Sequence, residues 1–346
     1  MKRFWLFCRA WRDLRRFQKL KPRNDLIVFY SEATDYWKFF EPVIERLTIT
    51  LGLPIIWLTS DSNDPLLTEK RSGVNAFFIG EGACRTVVFN TLSVNLMIMT
   101  MPDLGNYYIK RSASGVHYMY LFHSMVSTHM IYRKGAFDHF DSILCVGKHH
   151  IEEIREWESL NKLPAKQLFN HGYGVLDKLL EEKNRGLVAP SDGPAHVLIA
   201  PSWGPNSLLE TRGEETIGVL LDAGLRVTVR PHQMTNRRSP NIKQKLIARF
   251  SAHPSFNFES DTGTNKSLHA ANIMVSDWSG VALEFALGLE KPVVFIDLPK
   301  KLNNAEHFRL KSVPLEMLLR NKIGKILPVE DIDKLPSVVA ELVVSP

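Results

Sequence analysis

Residues 272–297 read NIMVSDWSGVALEFALGLEKPVVFID, and this stretch decides the fold class. An apolar, β-rich run stops at Ser276-Asp277-Trp278, and Ser279-Gly280 open a helix expected to reach about Leu289. PVVFID (292–297) then supplies a second apolar run. Strands that are apolar at nearly every position belong to a parallel sheet buried on both faces, with helices as crossovers.

The same alternation continues in both directions. Upstream lie HVLIAPS (196–202), a helix over 208–223, LRVTVRPH (225–232), a helix over 240–251 and a strand near 255–258; downstream, 330–343 reads as a last helix. In the first half, candidate strands are LIVFY (26–30), PIIWLT (54–59), NAFFIG (75–80), VNLMIMTM (94–101), HYMYLF (117–122), SILCVG (142–147) and KQLFN (166–170), with helices over 36–51 and 149–160 between some of them. The Gly, Pro, Ser and Asp of 184–195 read as a linker. The expected architecture is α/β: two doubly wound, Rossmann-like parallel-sheet domains (24–185 and 195–325) facing a cleft, the general plan of a GT-B transferase. A basic helix over 1–23 precedes them and a helix over 326–346 follows. In such sheets ligands bind beyond the carboxyl ends of the strands.

Charge is concentrated at one end. Residues 1–23 carry nine basic side chains and one acidic one, whereas the other 323 residues hold 34 basic and 36 acidic groups. The body is therefore near neutral, which argues against a nucleic-acid binder with basic stripes along its surface. On a helix, Phe4, Phe7, Trp11, Leu14 and Phe17 fall on one face and Arg9, Arg12, Arg15, Arg16 and Lys19 on another. That pattern suits a helix lying on an anionic membrane, in preference to one docked on the protein's own core. The run Phe4 to Cys8 is too short for a signal peptide, and no stretch is long enough to span a bilayer. Cys8, Cys84 and Cys145 form no CxxC pair, which leaves neither a zinc knuckle nor a disulfide framework. Walker A, GxGxxG, GxSxG and HExxH motifs are absent.

The candidate chemistry sits at strand ends. Ser279 and Gly280, at a helix start preceded by Ser276 and Asp277, suit a phosphate. Glu284, one turn in, could accept hydrogen bonds from a ribose; the plainer alternative makes Ser279 a cap and Glu284 a surface acid. Arg230 and His232 follow LRVTV and could hold a diphosphate, while Ser202 adds a hydroxyl on the same rim. His123, after HYMYLF, is a candidate general base. Gly172 would allow close backbone approach, and Asp177 would face the positive end of a helix dipole. His117, His123 and His129 share no helical face, so no metal triad is expected.

In order along the chain, Phe122-His123-Ser124, the run Gly172 to Asp177, Ala200-Pro201-Ser202-Trp203, Arg230-Pro231-His232-Gln233 and Ser276-Asp277-Trp278-Ser279-Gly280 resemble the motifs of the CDP-glycerol glycerophosphotransferase family, the teichoic-acid primases and polymerases. The resemblance covers about residues 117–297. Ser124, Gly174 and Gln233 depart from the family's Gly, Pro and Pro. It implies transfer of glycerol phosphate, or a related polyol phosphate, from a CDP-activated donor to a lipid-linked or polysaccharide acceptor, with release of CMP. It further implies His123 as base, His232 with Arg230 on the diphosphate, Ser279 and Gly280 on phosphate oxygens, and Glu284 on the ribose. No cofactor is called for, although bound Mg²⁺ is compatible with these residues. The expected location is the cytoplasmic face of the cell membrane. The rival readings are a GT-B glycosyltransferase or epimerase acting on a nucleotide sugar, and a non-catalytic assembly protein.

Overall fold

The computed structural model describes residues 2–20, 26–105, 109–186, 193–259 and 262–344. Pro22, expected to end the first helix, and residues 187–192 of the 184–195 linker lie outside them.

Two compact units are present: Met1–His123 with Thr128–Gly174 and Asn303–Ser312, and Ser124–Ser127 with Val175–Leu302 and Val313–Pro346. The first contains seven strands: β1 (Ile27–Ser31), β2 (Ile55–Thr59), β3 (Val74–Phe78), β4 (Leu96–Met99), β5 (His117–Leu121), β6 (Ser142–Cys145) and β7 (Gln167–Asn170). They pair in parallel in the order β3-β2-β1-β4-β5-β6-β7. The apolar runs are continuous because both faces are buried. Val28, Tyr30, Ile56, Leu58, Met97 and Met99 pack into one core. Their neighbours Phe29, Ile55, Trp57 and Ile98 point the other way, into a second.

The second unit holds β8 (His196–Ile199), β9 (Arg226–Val229), β10 (Phe256–Phe258), β11 (Ile273–Ser276), β12 (Val293–Asp297) and β13 (Gly324–Pro328). Their order, β10-β9-β8-β11-β12-β13, is again parallel throughout. In its own count each sheet thus runs 3-2-1-4-5-6, with a seventh strand added at the end of the first. The topological switch points lie between β1 and β4 and between β8 and β11, where a doubly wound sheet binds ligands.

The structure corrects four expectations. The C-terminal stretch is not one helix: Gly324–Pro328 is an edge strand with only Leu327 buried, so it lacks the apolar run that marks a central strand. Val329–Lys334 forms 3-10 turns, and the last α-helix is Leu335–Val344. The helix expected over 208–223 breaks at Arg212 into Leu208–Thr211 and Gly213–Asp222. Two short segments also group with the unit that does not contain their neighbours in sequence. Asn303–Ser312 is tied into the first unit by the Asn303 N–H donating to Met130 O (2.8 Å) and the Lys311 N–H donating to Glu156 (2.7 Å). Ser127 instead serves the second unit: its hydroxyl accepts from the Leu315 N–H (2.8 Å), and its own N–H donates to Glu316 (2.9 Å). Together they cap the Leu315–Ile323 helix, whose preceding Pro314 supplies no side-chain cap.

The N-terminal helix Lys2–Gln18 docks on the first unit's core through part of the apolar face that was expected to meet a membrane. Ala10, Leu14 and Phe17 are buried in the first unit's core, with Trp11 half-buried beside them. Phe4, Trp5 and Phe7 remain exposed, at 74%, 59% and 52%. Arg12, Arg15, Arg16 and Lys19 are also exposed. No helix among the described residues is long and apolar enough to cross a membrane.

Candidate functional site

At the β8–β11 switch point of the second unit, Asp277 is 1% exposed and its carboxylate is fully committed to backbone. Oδ1 accepts from the N–H groups of Ser202 and Trp278 (both 2.6 Å), and Oδ2 from that of Leu208 (2.9 Å). Ser276, also buried, donates through Oγ to Ala200 O (2.8 Å). These two residues, read from the sequence as ligand contacts, are instead the fastenings of the Ala200–Leu208 loop. Ser202 is buried at that loop's start.

Arg230 requires a larger correction. Its guanidinium is buried and spent internally: Nη1 donates to Glu259 (3.0 Å), Thr264 O (2.9 Å) and Ser267 Oγ (3.0 Å), and Nη2 to Thr262 O (2.7 Å). It braces the loop after β10, with Nη1 wholly engaged there and Nη2 bonded to Thr262. A strand-end arginine looks the same in sequence whether its fork meets a ligand or a loop carbonyl.

His232 is exposed and begins the helix Gln233–Arg238, its Nδ1 accepting from the Met234 N–H at 3.1 Å. An accepting Nδ1 leaves the proton of the neutral ring on Nε2, which is then a hydrogen-bond donor. The ring lies 6.1 Å from the indole of Trp203, reached from β8. Ser279 precedes the Gly280–Leu289 helix without making a side-chain cap, so the plain capping role does not account for its hydroxyl. A Cβ added to Gly280 would lie 2.5 Å from Ser124 Oγ, so the helix start is open to close approach only because residue 280 is glycine. Glu284 is 6% exposed, which excludes a surface acid.

Sequence reasoning missed Lys301 and Arg238. Lys301 Nζ lies 4.0 Å from the Trp203 ring centroid and Arg238 Cζ 5.0 Å. Burial pushes the Lys301 ammonium down to about 8, against the opposing pull of Asp277 and Glu210 and with help from Arg238. The strand-end rule applied to Leu298-Pro299-Lys300-Lys301, just past β12, would have nominated this lysine.

In the first unit, His123 follows β5 and is enclosed by aromatic rings: Tyr36 at 5.6 Å, Phe39 at 5.9 Å and Tyr132 at 6.3 Å between centroids. Its Nδ1 is 3.4 Å from the Tyr120 hydroxyl. Burial, against a hydrogen bond to the Thr100 backbone and with help from the Lys38 charge, pushes the ring down to about 4. The imidazole is therefore neutral near pH 7 and able to accept a proton. The Gly172 loop reaches this residue, since Tyr173 Oη donates to His123 O (3.3 Å). Gly172 adopts φ +86°, and a Cβ on Gly174 would strike Pro42 at 2.7 Å. Asp177 stands exposed in the first turn of the Gly174–Asn184 helix. No group of three or more His, Cys, Asp or Glu among the described residues is placed to hold a metal ion. A cavity of about 30 Å³, bounded by His129, Trp157, Glu158, Lys166 and Asn304, involves none of the nominated residues.

No protein-family model matches the chain, and no curated protein does. Solved structures do match. The wall teichoic acid polymerase TagF, as a variant soaked with CDPG, aligns with a TM-score of 0.59 at 11% identity, over 98% of this chain and 87% of that one. UDP-GlcNAc 2-epimerase of Methanocaldococcus jannaschii, in complex with UDP-GlcNAc and UDP, aligns at 0.57 and 10% identity over 92% of both chains. The Neisseria meningitidis UDP-GlcNAc 2-epimerase, bound to UDP-GlcNAc, aligns at 0.57 and 11%, over 93% of this chain and 99% of that one. The fold is GT-B-like. At these identities the likeness concerns the fold alone, and polymerase and epimerase stand equally near.

Proposed function

We propose that the protein transfers glycerol phosphate, or a related polyol phosphate, from a CDP-activated donor to a lipid-linked or polysaccharide acceptor, releasing CMP. The observation that carries this reading is the state of two strand-end histidines. His123 sits in an aromatic enclosure where burial pushes its ring down to about 4, and His232 takes the Met234 N–H on Nδ1, which in the neutral ring places the proton on Nε2. An acceptor hydroxyl would pass its proton to His123 while its oxygen bonds to the β-phosphorus. The bond from that phosphorus to the CMP oxygen breaks, and His232 Nε2–H stabilises the charge gathering there. Ser279 and Gly280 would receive phosphate oxygens at the helix start, and Glu284 would hold the ribose.

The rival, a nucleotide-sugar epimerase or glycosyltransferase, shares the fold and the helix start from Ser279 to Glu284 but does not predict this pair of histidines. Product analysis separates them. CMP release from CDP-glycerol in the presence of a lipid-linked acceptor, lost in His123→Ala, is the expected result; turnover of UDP-GlcNAc alone would replace this reading with the rival.

We also propose that the enzyme works at an anionic membrane surface. Phe4, Trp5 and Phe7 stay outside the core beside exposed arginines, and a lipid-linked acceptor would be presented at such a surface.

A further inference from the structure

We infer that the phosphates of the nucleotide donor are held in the second unit by Lys301 and Arg238, both standing on the indole of Trp203. This site replaces the one expected at Arg230, and in naming a nucleotide donor it rests on the function proposed above. Its three members come from three different strand ends. Trp203 follows β8, Arg238 closes the short helix after β9, and Lys301 lies past β12. Strands β9, β8, β11 and β12 are neighbours in the sheet, so these ends converge on the β8–β11 switch point.

Two observations point to an anion. Among the described residues, neither Lys301 nor Arg238 forms a hydrogen bond or ion pair with a carboxylate, and both lie over the same aromatic ring. The carboxylates whose charges act on Lys301 are already in use: Asp277 accepts three backbone N–H groups, and Glu210 bonds the hydroxyls of Ser207 and, at 3.5 Å, Thr235. A half-buried ammonium whose charge is poorly compensated gains most from a multiply charged oxyanion. The indole orients both cations without consuming their N–H donors, which remain available to phosphate oxygens. Exposed His232, 6.1 Å from that indole, adds its Nε2–H to the same cluster. A diphosphate, with two charged groups to share between a lysine and an arginine, fits this arrangement better than a carboxylate does.

The test is calorimetry of the full chain with CDP, UDP and inorganic pyrophosphate. The comparison is between wild type and Lys301→Met, Arg238→Met and the double variant; methionine keeps an apolar stem against Trp203. Removing one charge-assisted contact is expected to weaken the preferred nucleotide diphosphate about tenfold, and the double change about a hundredfold. Melting curves matching wild type would show that folding is intact. Should a variant fail to fold, Lys301→Arg serves instead, because it keeps the charge and is expected to retain binding above pH 8, where most of the lysine has lost its proton and wild-type affinity should fall; equal loss in both proteins would overturn the site. A wild type that prefers UDP would overturn the CDP-donor reading and leave the cation site standing. Wild-type affinity in the double variant, or no binding of any of the three ligands by wild type, would overturn the site.

Discussion

Asp277→Asn isolates the fastening at the switch point. The aspartate carboxylate accepts three backbone N–H groups at 2.6, 2.6 and 2.9 Å while 1% exposed. Asparagine is nearly isosteric but has one acceptor oxygen. With that oxygen toward Ser202 and Trp278, the amide NH₂ confronts the Leu208 N–H, donor against donor. One charge-assisted bond, worth about 1.5–3 kcal/mol, is lost, and the other two fall to neutral strength at about half that value. Relief of the buried charge offsets part of this, leaving a net loss of about 2–4 kcal/mol. Since two units need not unfold together, the readout should be local. Native-state hydrogen exchange at the amides of Ser202, Leu208 and Trp278 is expected to accelerate by about thirty- to a thousandfold where exchange proceeds by opening of this loop. Trp203 lies in that loop, so nucleotide affinity should fall as well. Unchanged exchange at all three amides would refute the assignment of Asp277 as a clamp.

Other expectations follow from particular contacts. A Cβ on Gly324 would lie 1.9 Å from Val293 O, its register partner across β12 and β13, so Gly324→Ala should destabilise the second unit by about 1–3 kcal/mol or more in urea denaturation. An unchanged midpoint would contradict the edge-strand pairing. If His123 must be deprotonated and Lys301 protonated, kcat/KM should fall below about pH 4 and again above about pH 8, with a plateau between. The groups facing Lys301 are Asp277, Glu210 and Arg238, and those setting His123 are Thr100 and Lys38, so Lys301→Arg should remove the alkaline limb alone. Replacing Phe4, Trp5 and Phe7 with serine should lower co-sedimentation with anionic vesicles by about tenfold without loss of folding, because none of the three belongs to the core. Removing the whole helix is a poorer test, since Ala10, Leu14 and Phe17 would go with it; equal sedimentation of the serine variant would exclude the membrane role.

The central strands were legible because burial on both faces writes a continuous apolar run into the sequence, as in Ile55–Thr59, where every position is buried. Edge strand β13 carries no such mark, and Asn303–Ser312 is held by hydrogen bonds to distant backbone that have no period to read. The place of the candidate site was legible for the same reason as the strands: polar residues cluster where apolar runs end. Their roles were not. Arg230, Ser276 and Asp277 have the residue types of a phosphate site, yet their side chains turn inward to satisfy buried loop backbone. Lys301 follows a strand end like the others, and only its partner, an indole almost a hundred residues earlier in the chain, had no mark in the sequence.

The measurement that bears most directly on the proposed activity is calorimetric titration of the intact protein with CDP-glycerol and with UDP-GlcNAc under the same conditions. The structure-based account predicts saturable binding of CDP-glycerol, weakened when Lys301 and Arg238 are both replaced, and little or no binding of UDP-GlcNAc. Tight binding of UDP-GlcNAc with none of CDP-glycerol would contradict it.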